Sequence, residues 1–173
     1  MDKKLEDALS RVEMNYHDLV EIANGILDPV LNPVNELVDA LNAHINSLSI
    51  DQLRDYILRL QLKAFEISEI KEKSILKAEL ADALHEEAFA VNFNGTDGSA
   101  AVKDKLALVA TASETVSDTL YSYMANLLKN KVDQLHRLVA AISSILMSRM
   151  QDLKYTSMSA GSGQVDSPAP TAE

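Results

Sequence analysis

From Ser99 to Lys154 apolar side chains recur at helical spacing for more than fifty residues without a single Pro or Gly. The pattern predicts one long helix, roughly 80 Å at the helical rise, which exceeds the diameter of a compact chain of this size and requires a second long element beside it. Ile50 to Val91 supplies that element, equally free of Gly and Pro. The two are separated by Asn92-Phe93-Asn94-Gly95-Thr96-Asp97-Gly98, a stretch dense in turn formers. The expectation is a long antiparallel helical hairpin built from about 50–91 and 99–154.

Upstream, Leu5, Leu9, Val12, Tyr16, Leu19, Ala23 and Ile26 alternate by four and three, the seam of a coiled-coil-like helix. Asn24-Gly25 and the prolines of Asp28-Pro29-Val30-Leu31-Asn32-Pro33 are expected to end it. Asn32 as N-cap with Pro33 at the first helical position starts a second short helix, since Pro there forfeits no intrahelical bond. That helix carries Val34, Leu37, Val38, Leu41, Ile45 and Leu48 on one side. Ser49-Ile50-Asp51-Gln52 then reads as a capping box opening the third helix.

Along the third helix the series Leu53, Ile57, Leu60, Ala64, Ile67, Lys71, Ser74, Ala78, Ala81, His85, Ala88 is apolar at both ends and polar in the middle. Leu58, Leu62, Phe65, Leu76, Leu80 and Leu84 add neighbouring stripes, so this helix is expected to have more than one partner. In the fourth helix Val102, Leu106, Val109, Ser113, Val116, Leu120, Tyr123 and Leu127 keep one seam until the phase slips near Leu127 and Leu128. Beyond the slip the apolar band is too wide for one neighbour, which implies either burial under the N-terminal pair or a subunit interface. Leu135, Leu138, Ile142, Ile145 and Leu146 are the candidate interface. Seams on all four helices point to a homo-oligomer.

The fold expected is therefore all-α. Residues 1–155 form a single helical domain, with an N-terminal helix pair at 1–48 and the long hairpin at 50–155. Residues 156–173, rich in Ser, Ala, Gly and Pro without apolar periodicity, are expected to be a disordered C-terminal tail.

Composition refines this picture. The chain is 47 % hydrophobic but only 5 % aromatic, so its core must come from Leu, Ile, Val and Ala. It has no Cys, which excludes disulfides and thiolate metal sites and fits a cytoplasmic protein. No stretch has the ~18 uninterrupted apolar residues of a membrane span. The net charge of −10 opposes indiscriminate nucleic-acid affinity. The charge is uneven, with nine acids against three bases in residues 1–50 and six against seven in 93–158.

Catalytic signatures do not appear. Asn94-Gly95-Thr96-Asp97-Gly98 fits neither a Walker loop nor a dinucleotide fingerprint. Asp82/His85 and Asp133/His136 have the i, i+3 spacing of bundle metal ligands. In a hairpin folded near Gly95, however, the two pairs are offset by roughly 45 Å and cannot share a metal. No metal, no cofactor and no enzyme activity are expected.

The order of features from the third helix onward resembles a known family. A Lys-Ala-rich helix (Leu76-Lys77-Ala78-Glu79-Leu80), a Gly-Thr turn, a restart at Val102-Lys103-Asp104-Lys105 and a long helix closing on Ser148-Arg149-Met150-Gln151-Asp152-Leu153-Lys154 look like the phage recombination mediators related to UvsY, over about residues 66–155. The resemblance implies a helical, oligomeric accessory protein that helps load a recombinase onto single-stranded DNA coated by a single-strand-binding protein, in the cytoplasm of an infected bacterial host. It places Lys77 in the family's basic DNA-contact segment, whereas Glu79 stands where the family pattern has another base. The DNA-contact candidates are Lys71, Lys73, Lys77, Arg137, Arg149 and Lys154, with Arg137, Arg149 and Lys154 expected on solvated positions. The competing expectation from charge is an acidic helical adaptor or inhibitor that binds a host or phage protein without contacting DNA.

Overall fold

A computed structural model describes residues 3–161, with side-chain surroundings from 16 to 157. These residues are all-α, in four helices: α1 (Lys3–His44), α2 (Ile50–Gly95), α3 (Ala100–Ala110) and α4 (Ala112–Gly161). Among the described residues there is no strand.

The first departure from expectation is α1, one continuous helix through Pro29 and Pro33 rather than two. Each Pro removes an amide donor, and its ring crowds the carbonyl four residues back. Gly25, Pro29 and Pro33 are spaced by four and all exposed, so the disturbed carbonyls lie on a wet flank where water can bond them. Elsewhere on the same helix Ala23, Leu27, Val34 and Leu41 are fully buried. Burial of such a side chain stabilises by about 1.5–3 kcal/mol, enough over several residues to offset the proline cost. Pro33→Ala, which returns a donor at an exposed helical position, is expected to stabilise by about 1 kcal/mol. A thermal melt by circular dichroism checks this as a rise of roughly 2–4 °C.

The connection to α2 follows the sequence. Ser49 Oγ accepts from the Gln52 amide at 3.2 Å, and the Ser49 amide donates to Gln52 Oε1 at 2.8 Å. This is the anticipated capping box. Helix α2 runs past Val91 through Asn92-Phe93-Asn94-Gly95. The Asn92 side-chain amide donates to the Ala88 carbonyl and the Thr96 hydroxyl to the Asn92 carbonyl, at 2.8 and 2.7 Å, holding the last turn. The chain reverses at Gly98, whose φ of 133° only glycine adopts readily.

The expected single helix 99–154 is interrupted at Thr111. Its side chain is wholly buried, its hydroxyl and its amide both donate to the Ala107 carbonyl, at 3.0 and 3.1 Å, and its backbone departs from helical angles with φ −106° and ψ 15°. The seam expected for this stretch is also displaced. Val102, Leu106, Val109 and Val116 are exposed, and Ala107 and Thr111 are the buried residues. Here, where α3 meets α2, the side of the helix that carries the small side chains is the one buried. At the other end α4 continues to Gly161, so 156–161 are helical rather than part of the expected tail. The rest of that tail, 162–173, lies outside the described residues, as do the side chains of Leu5, Leu9 and Val12.

One core joins α1, α2 and α4. Leu27, Val34 and Leu41 from α1, Leu53, Leu60 and Ile67 from α2, and Leu128, Leu135 and Ile142 from α4 repeat at seven-residue intervals and are all buried. Contacts along α2 and α4 run in opposite order. Arg54 near the start of α2 meets Met150 late in α4, while Ala78 shares a cleft with Ala125. Tyr16 of α1 packs edge-on to Tyr123 with centroids 6.5 Å apart, and burial lifts the Tyr123 phenol above its ordinary pKa, with Tyr16 adding to the effect.

Candidate functional site

The six bases singled out from sequence fall into four environments. On the middle of α2, Lys71 pairs with Glu72 at 2.8 Å and Lys73 with Glu69 at 2.7 Å. The hydrogen bond from Lys73, together with its charge, holds the Glu69 carboxyl below its ordinary pKa. Exposed pairs of this kind contribute little to stability, about 0–1 kcal/mol, but they cancel the local positive field. Lys77 instead lies over the Tyr121 ring, 4.9 Å from its centroid, a cation–π contact between α2 and α4.

Arg149 does not occupy the solvated position expected of it. It is half-buried, and its guanidinium donates to the carbonyls of Ile45 and Asn46 at 3.0 and 3.1 Å and to that of Leu48. These carbonyls follow the C-terminus of α1, where the chain leaves the helix and no i+4 amide returns to bond them. A planar fork with five donors is suited to several converging carbonyls, and Arg149 ties the α1–α2 connection to α4. Sequence spacing could not show this, because the partners are about a hundred residues away.

Arg137 and Lys154 are exposed and form no ion pair among the described residues. They are not neighbours. Seventeen residues of α4 separate them, about 25 Å at helical rise, and Lys77 over Tyr121 is about 24 Å from the level of Arg137 in the other direction. Lys154 borders an open groove of about 650 Å³ with Ile50, Arg54, Met147, Met150 and Leu153. These three cations are therefore spread along the molecule rather than side by side.

The candidate interface on α4 is used inside the chain. Leu135 and Ile142 are buried in the shared core, and Leu138, Ile145 and Leu146 pack against it. Within the chain this wide band packs into the core that α1, α2 and α4 share. The apolar surface left outside lies elsewhere, chiefly on α2, where Leu58, Leu62, Phe65, Leu76 and Leu80 are each more than half exposed. Sequence periodicity had marked those residues as extra stripes without saying which stripe would be covered.

Among the described residues no three His, Asp or Glu side chains come together as a metal site, and no helix is long and apolar enough to cross a membrane. Comparisons with protein-family models, with curated proteins and with solved structures each gave no match to this chain.

Proposed function

We propose that this protein is a non-enzymatic helical scaffold that acts as a homo-oligomer and engages other proteins through helix faces. In this reading α2 and α4 form an antiparallel hairpin, α1 completes its core, and the outer face of α2 is the working surface. The observation that carries it is the apolar outer stripe of α2, exposed on a helix whose other side is already committed to the core. Contiguous exposed apolar surface on a highly charged protein marks an interaction site. The chain's charge of −10 suits an acidic adaptor or inhibitor of a host or phage protein.

A second reading keeps the role implied by the UvsY-like resemblance, a phage recombination accessory that helps a recombinase displace a single-strand-binding protein from single-stranded DNA. Lys77, Arg137 and Lys154 support it, being free of ion pairs among the described residues. In that role several subunits bring their bases to one strand, which multiplies the few phosphate contacts of a chain with a net charge of −10.

Fluorescence anisotropy with a labelled single-stranded oligonucleotide at low and physiological salt separates the two. The adaptor reading expects no binding by the intact protein at low salt. Binding that falls steeply with salt, with a slope of ~0.7 per phosphate contacted, and that drops when Lys77, Arg137 and Lys154 are replaced together by Ala, would replace it with the mediator reading.

A further inference from the structure

The outer stripe of α2 has a symmetry that names its own partner. At 3.6 residues per turn, Leu58, Leu62 and Phe65 and then Leu76, Leu80 and Leu84 lie within one sector of the helix. The buried Leu60, Ile67, Ser74 and Ala78 lie on the opposite side. Phe65 is 72 % exposed and Leu76 65 % exposed, so the described chain leaves the stripe largely open, with α1 bordering it at Glu69, Lys73 and Leu76. Counted from the level of Lys71, the first three precede it by thirteen, nine and six residues, and the last three follow it by five, nine and thirteen. Between the two apolar blocks, Glu69 and Lys73 stand two residues before and two after the same centre. The stripe reads nearly the same from either end, with its charge reversed about the middle.

We propose that α2 pairs antiparallel with α2 of a second copy, about a two-fold axis at the level of Lys71. This deepens the oligomeric reading above by assigning its interface. A two-fold contact must be self-complementary, each residue meeting the partner of its own partner. Antiparallel pairing at this register sets Leu58 against Leu84 of the second copy, Leu62 against Leu80, and Phe65 against Leu76. Glu69 and Lys73, which pair within each chain, are brought level with each other's counterpart across the axis and can exchange partners there, and on the same flank Glu66, paired with Lys63 in its own chain, comes level with Lys77. A parallel pair would bury the same leucines but place Glu69 beside Glu69 and Lys73 beside Lys73. The antiparallel sense therefore sets each Glu69–Lys73 pair head to tail against its copy, opposite charge facing opposite charge, and is the favoured one. Glu72, the acid that comes close to its own copy near the axis, is neutralised by Lys71 within its own chain. The apolar blocks span about 39 Å of helix, ample for a continuous two-helix seam.

The absence of Cys makes the register directly testable in the full-length chain. The wild-type protein is expected to sediment at twice its 18.9 kDa chain mass. Leu62→Cys/Leu80→Cys should give a covalent dimer on mild oxidation. Leu62→Cys alone should not, because the two copies of position 62 lie about 27 Å apart in this arrangement. Lys73→Glu should weaken dimerisation by about tenfold or more, and Glu69→Lys added to it should restore the affinity, since the swapped charges are again complementary across the axis. All four positions are exposed, and unchanged helical circular dichroism will show that each variant is folded. Efficient self-linking by Leu62→Cys, or failure of the double charge swap to rescue, would overturn this pairing while leaving an oligomer in place. A monomeric wild-type protein would overturn both the pairing and the oligomeric reading on which it rests.

Discussion

Replacing Arg149 by Ala is expected to destabilise the fold by about 1.5–3 kcal/mol, a fall in melting temperature of roughly 4–10 °C. The guanidinium serves three carbonyls at the α1–α2 connection, those of Ile45, Asn46 and Leu48. Its loss leaves those beyond the reach of water unpaired and releases the connection from α4. Charge-assisted bonds are the stronger class, and removing one partner costs more than the bond contributes net. Arg149→Lys should recover only part of the loss, because an ammonium cannot present donors in a planar fork. Arg137→Ala and Lys154→Ala serve as controls and should each change stability by no more than about 0.5 kcal/mol, since both side chains are exposed. Thermal denaturation of the three Ala variants checks the ranking. Equal melting temperatures would show that the clamp contributes nothing. Hydrogen exchange localises the effect, with amides at the start of α2 expected to lose protection in the Arg149 variant alone.

The largest effect is expected from Ile142→Ala, about 2–5 kcal/mol, with Leu135→Ala close behind. Ile142 is 0 % exposed and Leu135 1 % exposed, and both sit where α4 meets the buried faces of α1 and α2. Truncation there removes apolar contact and leaves a cavity that long helices, pinned along their length, cannot close. Ile142→Val should cost about 0.5–1.5 kcal/mol. Urea denaturation at several protein concentrations distinguishes core from interface. A core residue lowers stability by the same amount at every concentration, whereas an interface residue acts through mass action and its effect depends on concentration. A loss confined to high protein concentration would return Leu135 and Ile142 to the subunit interface first expected of them.

Much of this molecule was legible in the chain because its information is local. The capping box at Ser49 and Gln52 joins residues three apart, and a hydroxyl, a side-chain amide and two backbone amides suffice to form it. The α2 seam was visible as a four-three alternation from Leu53 to Ala88, and of its members Leu53, Leu60, Ala64, Ile67, Ser74, Ala78 and Ala81 are buried while Ile57, Lys71, His85 and Ala88 are half-buried. The helical class followed from long stretches lacking Gly and Pro. What local pattern misjudged was the weight of a breaker against burial. Pro29 and Pro33 predicted a helix boundary, yet Leu27 and Val34 beside them are buried, and α1 runs on because packing repays more than two lost hydrogen bonds cost.

The choice among faces was decided only by the tertiary structure. Val102, Leu106 and Val109 form as regular a stripe as any in the chain, yet small Ala107 and Thr111 are the side chains buried where α3 meets α2. Arg149, Arg137 and Lys154 read alike as exposed bases near a helix end. Only the fold brings the carbonyls beyond α1 to the first of them and leaves the other two in water. By itself the sequence determined which segments are helical and which side chains could be buried, because both depend on spacing along one helix. Which of several apolar stripes is covered, and which cation is structural, depends on the partner that a distant segment delivers, and that was settled by the packing of α1, α2 and α4 together.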